Sequence, residues 1–385
     1  MSPAPIYIAA YGLACALGPD AASISRNLFA DRPPSAPPRD DLIDGRDVPV
    51  GRLPFALPSH PGETRTNCLL AHCFAQIAPD VLGARARFGA QRLALVLGAC
   101  TTGIKEAGEA MAYRHAHGDW PAGFRLQAQQ LDDGAWFLAK LAGIEGPTYS
   151  ISTACTSGAR ALAAGARLLR AGLCDAVLCG GADSLSPLTL NGFAALESLS
   201  QTACNPMSAN RDGIHIGEAG ALFLLTRELS PYRLSGWGES ADSYHISAPD
   251  PSGAGAEMAL RGALAKAGLM DSDIGFAHMH GTATRLNDAM EAAVLHRMFG
   301  EDLPCASTKP LTGHTLGTAG ALQAAFCIMA LQEGRLPPHH WDGARDPALP
   351  PIRLVGRAES WAGRHALSAS YAFGGNNAAL VISRE

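Results

Sequence analysis

Two segments of the chain share a pattern that restricts the fold more than any other feature of the sequence. In each, a reactive side chain follows a strand-like run and stands at the start of a helix rich in glycine and alanine. The segments are TACTSGARALAAGARLLRAG (153–172) and TGHTLGTAGALQAAFCIMALQEG (312–334). Alternating strand and helix signals predict an α/β fold with a covered sheet. The repetition predicts a duplicated α/β unit, with halves at 1–235 and 236–385.

Hydrophobic periodicity places the individual elements. Short apolar runs bounded by glycine or polar residues predict strands, and runs with apolar residues three to four apart predict helices. The predicted strands are 5–18, 92–98, 147–153, 176–180, 275–280 and 305–308, and the predicted helices are 66–77, a region ending near 111, 156–171 and 289–298. Residues 31–62, rich in Pro, Asp and Arg, predict a surface excursion.

The composition is that of a globular protein with an ample core. Of 385 residues, 47% are hydrophobic and 17% are charged, and no apolar run reaches the roughly 18 residues that span a bilayer. The opening residues lack a basic leader before an apolar stretch, so we expect no signal peptide. A formal net charge of −5 argues against nucleic acid as the main partner.

The ten cysteines contain no CxxC pair, and most have apolar neighbours. This usage is typical of reduced, buried thiols, so we expect a cytoplasmic protein without a structural metal. Neither a GxGxxG turn after a strand nor a P-loop is present, and a GxSxG elbow is also lacking. We therefore expect no nucleotide or flavin cofactor.

Cys155 is the candidate nucleophile. It follows a predicted strand and opens a predicted helix, where unpaired N–H groups and the helix dipole favour negative charge. We therefore expect a lowered pKa and a thiolate that attacks a thioester without a dedicated base. The alternative for a lone cysteine is a buried structural thiol.

His280 and His314 are the candidate partners of this thiol. Each has glycine and threonine neighbours, in HGTAT and TGHT, at the end of a strand-like segment. Strand ends are where open α/β sheets gather their sites. Neutral imidazoles that donate N–H to a thioester oxygen stabilise an enolate, as carbon–carbon bond formation from thioesters requires. A single histidine would be interpreted as a core residue, and we assign His278 that structural role.

The segment SASYAFGGNNAALVIS places Gly374 and Gly375 before a closing strand. Glycine lets backbone approach a ligand closely, so an N–H here, with that of Cys155, is a candidate oxyanion hole. A tight strand-to-strand turn is the alternative, and the two are compatible.

At this point the residues resemble the β-ketoacyl-[acyl carrier protein] synthases of the bacterial I/II type, within the thiolase-like superfamily. The resemblance runs almost end to end and is carried by seven motifs: TACTSG, HGTAT, KPLTGH, GGAD, RDG with GEAG, DSYHISAP and FGG. It implies a five-layered αβαβα fold and a homodimer or a heterodimer with a related chain. It implies decarboxylative condensation of an acyl group on Cys155 with malonyl-acyl carrier protein, without a metal or other cofactor.

The resemblance also implies roles for further residues. His280 and His314 are the decarboxylation pair, and Lys309 is expected to pair with Asp288 or Glu291 and fix the site. Further expected roles are an aromatic gate and oxyanion N–H at Phe373 with Gly374, a second gating loop containing Asp242 and His245, support by Thr282 and Thr284, a chain-length position at Ala110, and carrier docking at Arg65, with Arg125 as a second candidate. An ordinary solvated charge is the alternative for either arginine.

Several positions depart from the family pattern. Ala372 replaces the usual glycine before the gate, Tyr371 a common Phe, Asn376 a common Thr, and Gln323 a common Glu. These departures suggest a specialised synthase, by analogy one that builds polyenes such as aryl polyene pigments. They also leave open a partner subunit similar to the chain-length factors, although the intact Cys155 argues against it. A thiolase is disfavoured because YAFGGNN has no second cysteine.

Overall fold

The computed structural model describes residues 4–31, 36–60 and 62–385. Its strands are β1 Tyr7–Ala14, β2 Arg39–Asp41, β3 Asp47–Gly51, β4 Leu93–Gly98, β5 Thr148–Ile151, β6 Ala176–Asp183, β7 Ile216–Gly217, β8 Ala219–Thr226, β9 Tyr232–Ala241, β10 Phe276–His278, β11 Pro304–Ala306, β12 Arg335–Leu336, β13 Arg353–Leu354, β14 Glu359–Ser360, β15 His365–Ala372 and β16 Asn376–Arg384. Its α-helices are α1 Ala21–Leu28, α2 Arg65–Phe88, α3 Ile104–His117, α4 Asp133–Ala142, α5 Ser157–Arg170, α6 Pro187–Ala195, α7 Ala254–Ala267, α8 Arg285–Phe299, α9 Lys309–Thr312 and α10 Ala319–Glu333. Short 3₁₀ turns at Leu316–Thr318 and Phe373–Gly375 adjoin the site.

Eleven strands form one sheet in the order β13-β11-β10-β15-β16-β9-β1-β8-β6-β4-β5. In one half of it, β5, β4 and β6 are parallel, and β8 and β1 continue antiparallel. The other half repeats this arrangement with β11, β10 and β15 parallel, followed by β16 and β9 antiparallel. The halves meet where Tyr7 pairs with Arg233. The predicted duplicated α/β fold is confirmed, whereas the boundary near 235 stays a prediction.

The helices and half-sheets form five layers, and three apolar cores fill the spaces between them. Helices α2 and α4 cover the outer face of the first half-sheet, and α7 and α8 cover that of the second. Helices α5 and α10 lie between the two half-sheets and share the central core. Because both faces are covered, β4, β6 and β8 are buried along their whole length, which explains their continuous apolar sequences.

The glycine and alanine pattern of α5 and α10 follows from how closely the two helices approach. A Cβ added at Gly158 would lie 2.9 Å from the Cβ of Ala321, and one added at Gly320 would lie 2.7 Å from the Cβ of Ala159. Larger side chains at these positions would force the helices apart. Because α5 begins just after Cys155 and α10 just after His314, this close packing fixes the separation of the two reactive side chains.

The predicted elements are confirmed with shifted ends. The helix predicted at 66–77 extends to Phe88 and contains Pro79, and the strand predicted at 275–280 stops at His278. His280 therefore lies in the loop beyond the strand. Within the predicted surface excursion at 31–62, residues 32–35 and 61 lie outside the described residues, and the remainder includes β2 and β3. Among the described residues, no helix is both long and apolar enough to cross a membrane.

Candidate active site

Cys155 lies in the short loop between β5 and α5. Ala154, just before it, has φ of 49°, in the left-handed region that only glycine adopts without strain. Side chains of the loop hold this conformation. The Thr156 hydroxyl donates to the carbonyl of Thr153 at 2.7 Å, and the Ser157 hydroxyl donates to the carbonyl of Ala154 at 2.6 Å. The thiol is thus held by a fixed turn at the mouth of a buried helix.

His314 lies directly against the thiol. Its Nε2 is 3.0 Å from Cys155 Sγ, and its Nδ1 accepts a hydrogen bond from the backbone N–H of Leu316 at 3.3 Å. Because Nδ1 is an acceptor, the ring proton of the neutral imidazole is assigned to Nε2, where it faces the sulfur. Burial, and then the charge of Lys309, hold the pKa of His314 well below its usual range.

His280 completes the group from the opposite half of the fold. Its ring is 5.3 Å from that of His314, at an interplanar angle of 86°. The carboxylate of Glu291 fixes the loop by accepting the backbone N–H groups of His280 and Gly281 at 2.6 and 2.7 Å. Burial, followed by the charge of Lys309, also holds the pKa of His280 well below its usual range. Both imidazoles are therefore neutral donors near neutral pH.

The expected pairing of Lys309 with Asp288 or Glu291 is wrong. Its Nζ donates to the carbonyl of His280 and lies 3.5 Å from His280 Nδ1 and 3.4 Å from Gln323 Oε1. Glu291 is occupied by the two backbone N–H groups, and Asp288 accepts those of Met207 and Ala283. Both carboxylates are therefore bonded to backbone N–H groups and not to Lys309. Burial lowers the pKa of the Lys309 ammonium, and the nearby carboxylate charges oppose that shift.

The expected low pKa of Cys155 is also wrong. Burial raises the pKa of this thiol to about 12, and the opposing effect of Lys309 is smaller. The position at the start of α5 was correctly predicted, but a sequence does not reveal how deeply the sulfur is buried. The thiol therefore needs the neighbouring His314, and not the helix start alone, to become an effective nucleophile.

The side chains of Cys155, His280 and His314 line one cavity of about 300 Å³. Thr282 and Thr284, expected only as support, both line its wall, and their hydroxyl oxygens lie 2.9 Å apart. Most of the other lining side chains are apolar: Phe193, Leu196, Ile214, Ala248, Pro249, Leu286, Tyr371, Ala372 and Phe373. The cavity thus combines a polar end with apolar walls, which suits the expected acyl thioester.

The two segments expected to gate the site contact each other. The N–H of Gly374 donates to the carbonyl of Ile246 at 2.7 Å, and that of Asp242 donates to the carbonyl of Gly375 at 2.8 Å. Nδ1 of His245 accepts from the backbone of its own loop. The ring of Phe373, 38% exposed, lies 5.8 Å from that of Phe193 over the cavity. The gating roles themselves stay predictions.

Ala110 is buried on α3, but it lines a second cavity of about 410 Å³, and Cys155 is not among the residues that line this cavity. The structure therefore does not bring the expected chain-length position together with the thiol. Among the residues that the structure describes, the two cavities have no lining residue in common.

Arg65 does not present a free charge for docking. Its guanidinium binds the buried carboxylate of Glu218 at 2.6 and 2.8 Å, and its side chain is 29% exposed. The second candidate, Arg125, pairs with Glu63 at 2.9 Å. A sequence shows the arginine but not the buried carboxylate that binds it. Arg65 therefore forms a structural ion pair, and its role in carrier docking stays a prediction.

Sequence reasoning assigned no role to Asp183, which joins the two halves behind the thiol. This buried carboxylate accepts the N–H groups of Cys100 and Thr101 at 2.8 Å and that of Thr318 at 2.9 Å. Burial raises its pKa to about 6. The sequence shows the GGAD motif, but the residues that Asp183 binds are distant from it in sequence.

His215 was missed in the same way. Its carbonyl accepts the N–H of His314 at 2.7 Å, and its Nδ1 accepts the N–H of Cys204 at 3.0 Å. His278, assigned a structural role, is fully buried and contacts the Thr308 hydroxyl at 3.2 Å.

One ligand atom from each of Cys155, His280 and His314 lies within 4.8 Å of the others, a spacing that could hold a metal ion. The ammonium of Lys309 beside His280 disfavours a further positive charge there. The expectation that the chain needs no metal stays a prediction.

Comparison with known proteins supplies independent findings. Family models described as the N-terminal and C-terminal domains of beta-ketoacyl synthase match residues 84–230 and 233–341. A solved ketosynthase (ApeO), in complex with its chain length factor (ApeC) from Xenorhabdus doucetiae, is 42% identical with a TM-score of 0.94. The match covers 99% of this chain and 98% of that one.

Two curated proteins are also similar. A 3-oxoacyl-[acyl-carrier-protein] synthase 2 of Staphylococcus aureus (strain COL) is 32% identical over 259 residues, which are 63% of this chain and 63% of that protein. Nodulation protein E of Rhizobium meliloti is 35% identical over 256 residues, again 63% of each chain. The chain thus matches less than two thirds of the length of these relatives.

Proposed function

The chain belongs to the β-ketoacyl synthase family, and on that premise we propose that it catalyses decarboxylative Claisen condensation. An acyl chain held on Cys155 combines with malonyl-acyl carrier protein to give 3-oxoacyl-acyl carrier protein. One observation carries the proposal: Cys155 Sγ and the two neutral imidazoles face one cavity, with Sγ 3.0 Å from His314 Nε2.

In the first stage, Cys155 takes the acyl group. The sulfur attacks the thioester carbonyl of an acyl carrier protein, and the carrier thiolate leaves and takes up the proton that the cysteine loses. Because the pKa of the thiol is raised by burial, the Nε2–H of His314 assists by hydrogen-bonding to the sulfur as it becomes negative. The N–H groups of Cys155 and Phe373 are the proposed donors to the carbonyl oxygen.

In the second stage, malonyl carrier protein loses carbon dioxide. The bond between the carboxylate carbon and C2 breaks, and its electron pair moves onto the thioester as an enolate. The Nε2–H groups of His280 and His314 donate to the enolate oxygen, and Lys309 holds Nδ1 of His280 as an acceptor. Neutral donors suit this task because they stabilise the negative charge without protonating C2.

The enolate carbon then attacks the carbonyl of acyl-Cys155. A carbon–carbon bond forms, the bond to sulfur breaks, and the thiolate of Cys155 returns to its contact with His314. Both reactants are held side by side in the cavity, so proximity supplies much of the rate. Thr282 and Thr284 are positioned to hydrogen-bond the polar arm that carries the malonyl group.

We propose acyl carrier protein as the carrier of both substrates on its phosphopantetheine, with no other cofactor. We also propose a dimer with a related synthase-like chain, supported by the solved ketosynthase that is in complex with its chain length factor. We further propose a specialised polyene or polyketide type of synthase, supported by the departures from the family pattern at Tyr371, Ala372, Asn376 and Gln323. The alternative that this chain is itself the inactive partner is disfavoured by its complete thiol–imidazole group. A cytoplasmic location stays a prediction.

The test is intact-protein mass spectrometry after incubation with acyl carrier proteins of varied chain length. We expect one acyl adduct on the wild type and none on Cys155→Ala. Cys204→Ala is the matched control, because Cys204 is also buried but is not among the residues that line the cavity. The absence of an adduct with every primer, when the candidate partner chain is also present, would contradict the proposed function.

A further inference from the structure

Gln323 lies on the second turn of α10, with 3% of its surface exposed, and bonds three separate segments. Its Nε2 donates to the carbonyl of Met279 at 3.2 Å and to that of Ala369 at 2.8 Å. Its Oε1 lies 3.4 Å from Nζ of Lys309. The partners determine which way the amide faces, because a flip would turn the oxygen towards two carbonyl oxygens.

The two carbonyls mark the place where two strands part. β10 and β15 are paired along three residues, and the last pair is His278 with Ser368. Met279 and Ala369 are the residues that follow this last pair. After Met279 the backbone turns to His280, and after Ala369 it continues through Tyr371 to the gate segment. The Gln323 amide therefore spans the opening between the decarboxylation histidine and the gate segment.

We propose that Gln323 is a positioning residue that fixes this opening and, through it, the distance from His280 to the gate segment. The two amide protons of Gln323 serve the two acceptors that the diverging strands present in this chain. A carboxylate of the same shape could still accept from Lys309, but when ionised it would repel both carbonyls. The side chain acts through His280 and the backbone of β15, and it does not itself line the cavity.

The role predicts an unequal effect on the two half-reactions. Cys155 and His314 are held by α5 and by the turn before α10, neither of which is bonded by the Gln323 amide. Acyl transfer to Cys155 should therefore change by less than about twofold in Gln323→Glu and in Gln323→Met. Release of carbon dioxide from malonyl carrier protein depends on His280 and should fall by about 10- to 100-fold.

Hydrogen–deuterium exchange supplies a readout that needs no activity. In both variants, amides within 276–284 and 366–375 should exchange about tenfold faster, because the strands lose the bonds that hold their ends. Gln332→Glu is the matched control. It makes the same substitution on the same helix, at an exposed residue whose Oε1 accepts from the Tyr11 hydroxyl. We expect it to match the wild type in all readouts.

The kinetic part rests on the proposed function, whereas the exchange part does not. If the wild type releases no carbon dioxide, the proposed function fails and exchange alone decides the role of Gln323. Unchanged exchange in either segment would overturn the inference. An equal fall in acyl transfer and carbon dioxide release would also overturn it, since that pattern indicates a general loss of structure. If Gln323→Met does not fold, the isosteric Gln323→Glu carries the test.

Discussion

The floor and the rim of the cavity are built differently. The floor, which we define as Cys155, His280, His314 and Lys309, is buried, and backbone or side-chain bonds hold every member. The rim, which we define as residues 242–249 and 373–375, is largely exposed, with Tyr244 at 58% and Ile246 at 80%. The rim's two segments bond to each other, and the side-chain amide of the buried Asn377 ties them to the core by donating to Asp242 Oδ1 and to the carbonyl of Gly375.

This difference separates chemistry from access. The floor residues come from both halves of the fold and are fixed by close helix packing, so their geometry is set before a substrate arrives. The rim contains the two segments with the predicted gating role, and a gate must move without disturbing that packing. Substitutions in the floor should therefore change the chemical steps, and substitutions in the rim should change what enters and leaves.

The largest effect should come from the two imidazoles. His280→Ala and His314→Ala should each lower carbon dioxide release from malonyl carrier protein by about 10²- to 10³-fold, because each removes a donor to the enolate oxygen. His296→Ala, whose ring bonds the carbonyl of Pro351 and is not among the groups that line the cavity, should keep the wild-type rate. Quantifying released ¹³CO₂ checks this. Full activity in either histidine variant would contradict the assignment of the chemical steps to the floor.

A large pH effect is expected at the thiol. Because burial raises the pKa of Cys155, the thiolate fraction is small at pH 7 and grows as pH rises towards that pKa. Alkylation by iodoacetamide should therefore increase about tenfold per unit from pH 7 to pH 9 without reaching a plateau. Mass spectrometry of the Cys155 adduct measures the rate. A plateau near pH 7 would instead support a thiolate stabilised by the helix start.

The rim should give a smaller and different effect. Phe373→Ala removes a ring pair worth about 0.5–1.5 kcal/mol and opens the cavity to water, so hydrolysis of the acyl-Cys155 adduct should rise about two- to tenfold. Phe124→Ala breaks a stacked pair with Trp120 elsewhere and serves as the control. If Phe373→Ala lowers carbon dioxide release as much as a histidine substitution does, the rim is part of the chemistry.

The smallest catalytic effect is expected at Arg65. Arg65→Ala should leave acyl transfer within about twofold but lower the free energy of unfolding by about 2–3 kcal/mol, because Glu218 stays buried without its partner. Arg87→Ala breaks an exposed pair with Glu228 and should cost less than about 1 kcal/mol. Urea unfolding compares the two. Weaker carrier binding without a loss of stability would support the docking role.

Features that depend on local sequence pattern could be predicted from the sequence. Buried strands such as β4 and helices such as α5 were predictable, and the motifs carried Cys155, His280 and His314 to one site. The errors concern partners that only the fold supplies. The Glu218 carboxylate that binds Arg65, the backbone N–H groups that occupy Glu291, and the burial that raises the pKa of Cys155 all depend on residues distant in sequence.

The same limit explains the missed residues. Asp183 and His215 are buried polar side chains whose bonding partners lie in other segments of the chain. Their common signature is a polar residue beside or within a run of apolar or small residues, as in GGAD and GIHIG. Because a buried polar group must be bonded, such positions identify candidates for positioning roles even before a structure is known.

The most direct test of the central claim is a single-turnover reaction of the wild type, with its partner chain where required. Acyl-Cys155 protein is mixed with ¹³C-labelled malonyl carrier protein, and carbon dioxide and the carrier-bound product are quantified together. We predict one carbon dioxide for each 3-oxoacyl product, longer than the primer by two carbons, with the adduct on Cys155 lost at the same rate. Carbon dioxide without a lengthened product, or an adduct that persists, would contradict the account.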